Sequence, residues 1–276
     1  MKRFYIGLGF TYIFFFLFQC RPLPEKKLSQ FKLPYSYEVK DDSLRISIHN
    51  TLACPLRMSA RSDLDSINQL LKADFPMVFP AFTDSNFIYP LKGLEKEIDL
   101  WFPAMFGDTA VKIIPQKISL PFPSGQKVKI MQGYNGSFSH TSLYARYALD
   151  FALQVGDTIC SAADGFVIGV IEGYKYGGSS RKWRDYANYI TLYHPESKLY
   201  TQYVHLDHEG SLVEVGDEVK MGEAIAISGL TGFTSKEHLH FNVLRPSKEG
   251  MESFKIEFIE GYSGEKLKEG TWVEKK

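Results

Sequence analysis

Two histidines close to the C-terminal end of the sequence have the spacing of a shared binding site. Residues 237 to 243 alternate polar and apolar side chains, so in a β-strand His238 and His240 project from the same face, opposite three apolar side chains. Two imidazoles on one strand face can bind one ion. The alternative is that each ring has an unrelated structural partner.

A carboxylate lies on a second strand pattern, residues 146 to 153. Asp150 projects there from the face opposite four apolar side chains, between Ala148 and Ala152. A carboxylate beside two small residues on a half-buried strand is costly unless a cation compensates its charge. Two compensations are open, a metal ion or a salt bridge to an arginine.

Five further histidines complete the set. His140 ends a glycine-bearing loop that begins at residue 132, ten positions before Asp150, and His205 lies near the end of another strand pattern. His194 and His208 are in polar, turn-like contexts and are expected to be solvated. His49, alone in a strand pattern, is expected to be structural or solvated.

The elements that must position these residues are β-strands. From residue 127 onward short strand patterns alternate with Gly/Asp turns, and no amphipathic helix is evident. Residues 155–162 and 215–222 repeat the frame Val-Gly-Asp followed by an aliphatic residue, which predicts two equivalent turns in a compact β-sandwich or barrel. The repeat resembles the hybrid-motif fold of biotinyl and lipoyl domains and of a class of zinc peptidases. A carrier domain would need an exposed lysine in a Met-Lys-Met type of hairpin, and Lys220 has a different context.

The remaining sequence predicts an ordered domain organisation. Residues 33–115 contain period-two patterns at 43–49 and 87–91 and one helical turn near 66–72, which together predict a small antiparallel β domain of unknown role. A proline-bearing linker, 116–126, leads to the second domain, 127–262, and residues 263–276 form a polar tail expected to be solvated. The fold class is therefore all-β.

The N-terminus carries an export signal. Lys2 and Arg3 precede an apolar run that ends at Cys20, a length typical of a secretory signal peptide over residues 1–19. Residues 17 to 20 resemble the lipobox of bacterial lipoproteins, although Gln19 stands where a small residue is usual. This resemblance implies lipidation at Cys20, a tether over residues 20–32 and a location in the cell envelope. An uncleaved N-terminal anchor is the alternative.

Charge and cysteine content narrow the possible partners and cross-links. The 32 basic and 32 acidic residues cancel, so no global field attracts nucleic acid. Cys54 and Cys160 remain once Cys20 is assigned to the lipid. They either form a disulfide or are two buried thiols.

The order of these motifs resembles the lysostaphin-type or LytM-type zinc metallopeptidases of bacterial cell walls, over about residues 128 to 246. It comprises Ser-His at 139–140, Asp150, Tyr-Val-His-Leu at 203–206, Ser-Gly-Leu-Thr-Gly at 228–232 and His-Leu-His-Phe at 238–241. The resemblance implies that His140, Asp150 and His240 bind Zn²⁺ and that His205 and His238 are catalytic. Many members separate the first two ligands by four positions; residues 133–140 fit the longer form, Gly-x-Asn-Gly-x-Phe-Ser-His.

The resemblance implies a function as well. A set of two histidines and one aspartate leaves a zinc position open for water, as a catalytic site requires. The expected activity is hydrolysis of the peptide cross-links of peptidoglycan, with the protein held at a membrane by its N-terminal lipid. The alternative is a catalytically silent envelope lipoprotein that docks and activates another murein hydrolase.

Overall fold

The computed structural model describes residues 22–92 and 97–276. The signal peptide over 1–19 and the lipidation site Cys20 lie outside these residues and stay predictions. No helix within the described ranges combines the length and the apolar character needed to cross a membrane. The end of the expected tether is anchored to the second half of the chain. Leu28 N donates to the Tyr174 hydroxyl (2.7 Å), and the carbonyl of Gln30 accepts from Val170 N (2.9 Å).

The first half is built from short antiparallel strands, as the sequence predicts. Its described elements are β1 (Tyr35–Lys40), β2 (Ser43–Asn50), β3 (Leu56–Met58), β4 (Arg61–Ser62), α1 (Asp65–Leu71), β5 (Met77–Phe79), β6 (Thr83–Pro90), β7 (Leu100–Trp101) and β8 (Ala104–Phe106). They pair in the orders β1-β2-β6, β5-β3-β8 and β4-β7. β2 has the clearest period of two, because Leu44, Ile46 and Ile48 are buried and face one core.

The second half is also nearly all strand, which confirms the all-β fold class. Its described strands are β9 (Lys127–Gln132), β10 (Leu149–Phe151), β11 (Thr158–Cys160), β12 (Gly165–Ile171), β13 (Gly177–Gly178), β14 (Tyr189–His194), β15 (Leu199–Val204), β16 (Leu206–Ser211), β17 (Glu218–Val219), β18 (Ala224–Ser228), β19 (Gly232–Phe233), β20 (Leu239–Ser247), β21 (Gly250–Ser253) and β22 (Trp272–Glu274). Two short 3₁₀ helices, Arg181–Tyr186 and Gly264–Lys266, interrupt them.

These strands form a sandwich. The large sheet has the order β17-β12-β14-β15-β20-β10-β9-β22, with β21 paired to β20, and a smaller sheet has the order β11-β18-β16. Side chains such as Leu192, Tyr203 and Phe241 from the large sheet pack with Ile159 and Ile225 from the small one in a single core. Burial of this apolar surface is the main stabilisation of the second half.

The Val-Gly-Asp repeat forms two equivalent turns. Asp157 Oδ2 accepts from Gln154 N at 2.7 Å, and Asp217 Oδ2 accepts from Glu214 N at 2.8 Å. The glycine before each aspartate has a positive φ, a conformation that favours glycine. Each turn leads into a strand, β11 or β17, as the repeat predicts.

The outer face of the large sheet changes character along its strands. At one end, the apolar Tyr193, Tyr200 and Leu244 are covered by the first half and share its core. The next residues on the same face of β14, β15 and β20 are Thr191, Gln202 and Asn242, which lie side by side in the strand register. One step further along β20 is His240. The first half therefore covers only the end of this face that lies away from the histidines.

The C-terminal end of the chain differs from its expected solvated state. The polar ending was expected to be solvated, but Trp272–Glu274 forms an edge strand on β9, with Val273 fully buried and Lys275 Nζ donating to the Leu120 carbonyl. That expectation was wrong because a three-residue strand needs only one inward apolar side chain.

Cys54 and Cys160 are buried free thiols in separate parts of the structure. The domain boundaries stay a prediction.

Candidate metal centre

Asp150 lies on an interior strand of the large sheet, with a paired strand on each side. β10 is flanked by β20 and β9, and the register places His240 and Gln132 on either side of Asp150. The strand is short and buried along its length. A carboxylate in this position is held by backbone pairing on both sides, so its direction is determined by the sheet.

Three predicted ligands converge at this point. Asp150 Oδ1 lies 2.8 Å from His240 Nδ1 and 3.2 Å from His140 Nε2. The two imidazole nitrogens are 3.2 Å apart, and one ligand atom from each of the three residues falls within 4.8 Å of the others. The side chains come from a loop, β10 and β20, up to 100 positions apart in sequence.

The loop that carries His140 is held by its glycines and its own hydrogen bonds. His140 Nδ1 donates to the Gly133 carbonyl at 2.9 Å, and His140 N donates to the Gly136 carbonyl at 3.0 Å. A side chain at Gly133 would collide with the Leu267 carbonyl, at 2.2 Å from an added Cβ. Because Nδ1 carries the proton, the lone pair of His140 Nε2 points to Asp150 and His240.

His205 and His238 form the opposite wall of the site. Their ring centroids are 4.7 Å apart, and the His205 ring is 6.1 Å from the His240 ring. His205 Nδ1 donates to the Thr231 carbonyl at 2.7 Å, and His238 Nδ1 donates to the Lys236 carbonyl at 2.8 Å. Each ring therefore keeps its Nε2 as an acceptor, and His238 Nε2 is 3.8 Å from Asp150 Oδ1.

Gln132 is a site residue that the sequence reasoning missed. Its Nε2 donates to Asp150 Oδ2 at 3.0 Å and to the Ser139 hydroxyl at 2.7 Å, while its Oε1 accepts from Phe138 N at 3.1 Å. An added Cβ at Gly136 would lie 2.2 Å from the Gln132 side chain. One amide thus ties Asp150 to the loop that carries His140. The register of β9 against β10 is the signal that would have identified it.

The electrostatics favour an anionic Asp150. Burial opposes the charge of Asp150, but the contacts from His140 and His240 outweigh burial and hold its pKa well below the usual range. Burial lowers the pKa of His240 and, together with the neighbouring His238, lowers that of His205 to about 3. For His140, burial also acts downward, but the negative charge of the neighbouring Asp150 prevails and the pKa is raised.

The donor set fits a zinc ion. Two imidazole nitrogens and one carboxylate oxygen are zinc ligands, and three protein ligands leave a further position, as in catalytic sites. The His140 Nδ1 contact with Gly133 and the Gln132 contact with Asp150 are hydrogen bonds of the kind that orient metal ligands. A cation would also compensate the lone pairs of His140 and His240 that face one another.

The other histidines lie apart from the cluster. His49 contacts Asp84 on the first half, and His208 is half-buried with Nδ1 near the Glu172 carbonyl. The expectation that His194 is solvated was wrong. It is 4% exposed, with Nδ1 donating to the Asp164 carbonyl and Nε2 accepting from the Thr201 hydroxyl, both at 2.8 Å. The turn-like sequence around His194 did not predict its burial, because the groups that bind its ring, Asp164 and Thr201, are not its sequence neighbours.

Comparison with known families agrees with this geometry. Residues 144–252 match the model of Peptidase family M23. The resemblance to lysostaphin-type and LytM-type peptidases is thereby confirmed for this part of the chain. The matched range includes Asp150, His205, His238 and His240, whereas His140 precedes it.

Individual relatives match part of the chain. An uncharacterized metalloprotease of Buchnera aphidicola is 33% identical over 129 residues, 46% of this chain and 31% of that protein. The peptidoglycan DD-endopeptidase ShyB of Vibrio cholerae is 35% identical over 119 residues, 42% of this chain and 25% of that protein. The chain thus spans less than a third of the length of either. Among solved structures, the catalytic domain of lysostaphin from Staphylococcus simulans is 25% identical, over 46% of this chain and 87% of that one, with a TM-score of 0.33.

Proposed function

We propose that this protein is a zinc-dependent endopeptidase that hydrolyses peptide cross-links of bacterial peptidoglycan. The observation that carries the proposal is the convergence of His140, Asp150 and His240 around one point, with His205 and His238 beside it. The match to Peptidase family M23 and the relatives named as peptidoglycan endopeptidases support the reaction and the substrate class.

The five side chains have distinct proposed roles. His140, Asp150 and His240 would hold Zn²⁺, which supplies an activated water and polarises the scissile carbonyl. His205 and His238 each direct Nδ1–H to a backbone carbonyl, so each presents Nε2 for proton transfer or for hydrogen bonding to the substrate. The pKa of His205 is lowered to about 3 by burial and by its histidine neighbours, so the ring is neutral at pH 7 and its Nε2 can accept a hydrogen bond.

The test is zinc content and hydrolysis of purified murein by the purified protein and its His240→Ala variant. We expect about one zinc per wild-type chain, release of fragments in which the cross-link is cleaved, and loss of both in the variant. His208→Ala, a half-buried histidine outside the cluster, serves as the matched control and should behave as wild type. Mass analysis of the fragments identifies the bond cleaved. A wild-type protein without zinc and without cleavage would favour the silent docking role.

We further propose that the protein is exported and anchored at Cys20 to a membrane of the cell envelope. The support is the basic and apolar N-terminal sequence and the envelope substrate of the relatives. Labelling with a radioactive fatty acid in cells tests this proposal. Label that is present in wild type and absent from Cys20→Ser supports lipidation, and equal label in both contradicts it.

A further inference from the structure

A cavity of about 620 Å³ lies between the two halves of the chain. Its floor is the outer face of the large sheet at Thr191 and Gln202, and Leu244 closes one end. Gln202 pairs in register with Asn242, and Asn242 follows His240 by two residues on the same strand face. The floor is therefore about 7 Å along the strands from the proposed zinc ligand.

The floor carries uncharged polar groups with unused hydrogen-bonding capacity. The Gln202 Oε1 accepts from the Tyr144 hydroxyl at 2.8 Å, and its Nε2 has one partner among the described residues, Thr191 Oγ1 at 3.3 Å. Asn242 lies beside Gln202 in the register, but it is fully buried and is not part of the lining; its Nδ2 donates to the Tyr144 carbonyl. The second N–H of the Gln202 amide is therefore the free donor of the floor, and it is suited to a carbonyl of a ligand.

Two walls from different parts of the chain enclose this floor. One wall is Ser142 to Tyr144, the continuation of the loop that carries His140. The other is formed by Phe31 and by β8, from which Met105 is 43% exposed and faces the cavity. A ligand that leaves the metal centre along the strands thus meets a surface of the first half.

Arg57 fixes the position of that second wall. It projects from β3, beside Met105 in the register, and its guanidinium donates to the carbonyls of Ser247 and Gly250, the latter at 2.7 Å, and to the carbonyl of Phe106 at 3.3 Å. Three carbonyls, two of them on the β20–β21 hairpin, are thereby held by one side chain. The first half is locked to the hairpin at the edge of the cavity.

The lining determines the kind of group that the cavity can accept. Of the described lining residues, only Glu249 carries a formal charge, and it is exposed. Phe31, Met105, Leu244 and Met251 present apolar surface, and the polar floor is neutral. A charged group would lose its hydration here with no opposite buried charge in return.

We propose that this cavity is a substrate subsite that binds an uncharged stretch of the peptide next to the scissile bond. Its floor would donate a hydrogen bond from Gln202 to one peptide carbonyl, and its apolar wall would contact an aliphatic side chain. The first half of the chain then has a role, since it supplies the wall that selects the substrate. The proposal rests on the proposed peptidase function and adds to it a specificity determinant outside the residues that match the family.

The test places a charge of either sign on the wall. Met105→Lys and Met105→Glu are compared with Trp101→Lys and Trp101→Glu, because Trp101 is 46% exposed on the same half and is not part of the lining. Calorimetry gives the affinity for soluble cross-linked muropeptides, which reports on the cavity. Turnover of the same muropeptides gives the rate of hydrolysis, which reports on the metal centre. We expect both Met105 variants to weaken binding and to raise KM about tenfold, with kcat within about twofold of wild type and the Trp101 variants unchanged.

The two readouts separate the subsite from the peptidase function. Turnover by wild type with unchanged binding in the Met105 variants would overturn the subsite alone. Weakened binding in those variants without turnover by wild type would support the subsite and contradict the peptidase. Tighter binding by Met105→Lys indicates an anionic ligand, tighter binding by Met105→Glu indicates a cationic one, and either result overturns the uncharged class. Wild-type protein that binds no muropeptide overturns the subsite as well.

Discussion

Two histidine–aspartate pairs of nearly the same length occur in this molecule. His240 Nδ1 lies 2.8 Å from Asp150 Oδ1, and His49 Nδ1 lies 2.9 Å from Asp84 Oδ1. The side chains of the first pair are 13% and 7% exposed, and those of the second are 44% and 75% exposed. The first pair has His140, His238 and Gln132 around the same carboxylate, whereas the second faces solvent.

The difference shows that a pair of residue types is not a site. Water screens Asp84 and His49, so their contact contributes little and neither group needs another partner. Asp150 has lost its water and must be compensated from within the protein. The four side chains that contact it supply that compensation, and two of them, His140 and His240, are also proposed metal ligands.

The largest effect that this comparison predicts is for Asp150→Asn. The amide keeps the shape of the side chain but removes the charge and one ligand oxygen, so zinc binding should be lost and murein hydrolysis should fall by about 10³-fold or more. Metal analysis and fragment release measure the two effects. Asp84→Asn makes the same chemical change in the exposed pair and should leave both unchanged. Wild-type zinc content in Asp150→Asn would contradict the assignment of this ligand.

A smaller effect is predicted for Gln132→Leu, which removes the amide that contacts Asp150 and the His140 loop but leaves all proposed ligands in place. Loss of a hydrogen bond that orients a metal ligand typically reduces metal affinity or activity about 10- to 100-fold. Chelator competition measures the zinc affinity. Gln116→Leu, whose amide contacts Glu196 elsewhere, is the control. Equal zinc affinity in the two variants would show that the sheet alone orients Asp150.

His194 separates burial from pairing, because it is buried without a carboxylate partner. Burial lowers its pKa to about 4, so between pH 6.5 and 4 the unfolded chain takes up a proton that the folded chain does not. The contribution of His194 to the free energy of unfolding is therefore complete above pH 6.5. It decreases by about 3 kcal/mol in total as the pH falls from 6.5 to 4. His194→Gln should flatten the pH dependence of the free energy of unfolding in this window. His49→Gln is the exposed control, and identical slopes in wild type and His194→Gln would refute the prediction.

The smallest effect is predicted for the exposed pair itself. Asp84→Asn should change the free energy of unfolding by less than about 0.5 kcal/mol, as expected for a solvated ion pair. Denaturant titration at neutral pH measures it. A loss above about 2 kcal/mol would mean that the contact with His49 supports the first half far more than its exposure indicates.

Much of the candidate site was predictable because strands translate sequence spacing into direction. The period of two placed His238 and His240 on one side, and the alanines beside Asp150 indicated a carboxylate with free space around it. Gln132 and His194 were not predictable in this way. Their environments depend on which strands are neighbours, and strand order is a long-range property that local alternation does not contain.

The amino-acid sequence by itself determined the residue types, the strand faces and the order of motifs that resembles a zinc peptidase. Only the tertiary structure decided that a loop, β10 and β20 meet at Asp150, that the first half covers one end of the same sheet face, and that a cavity remains between the two. The physical reason is that side-chain direction follows from neighbouring residues, whereas convergence requires the sheet register and the burial of two cores to be settled together.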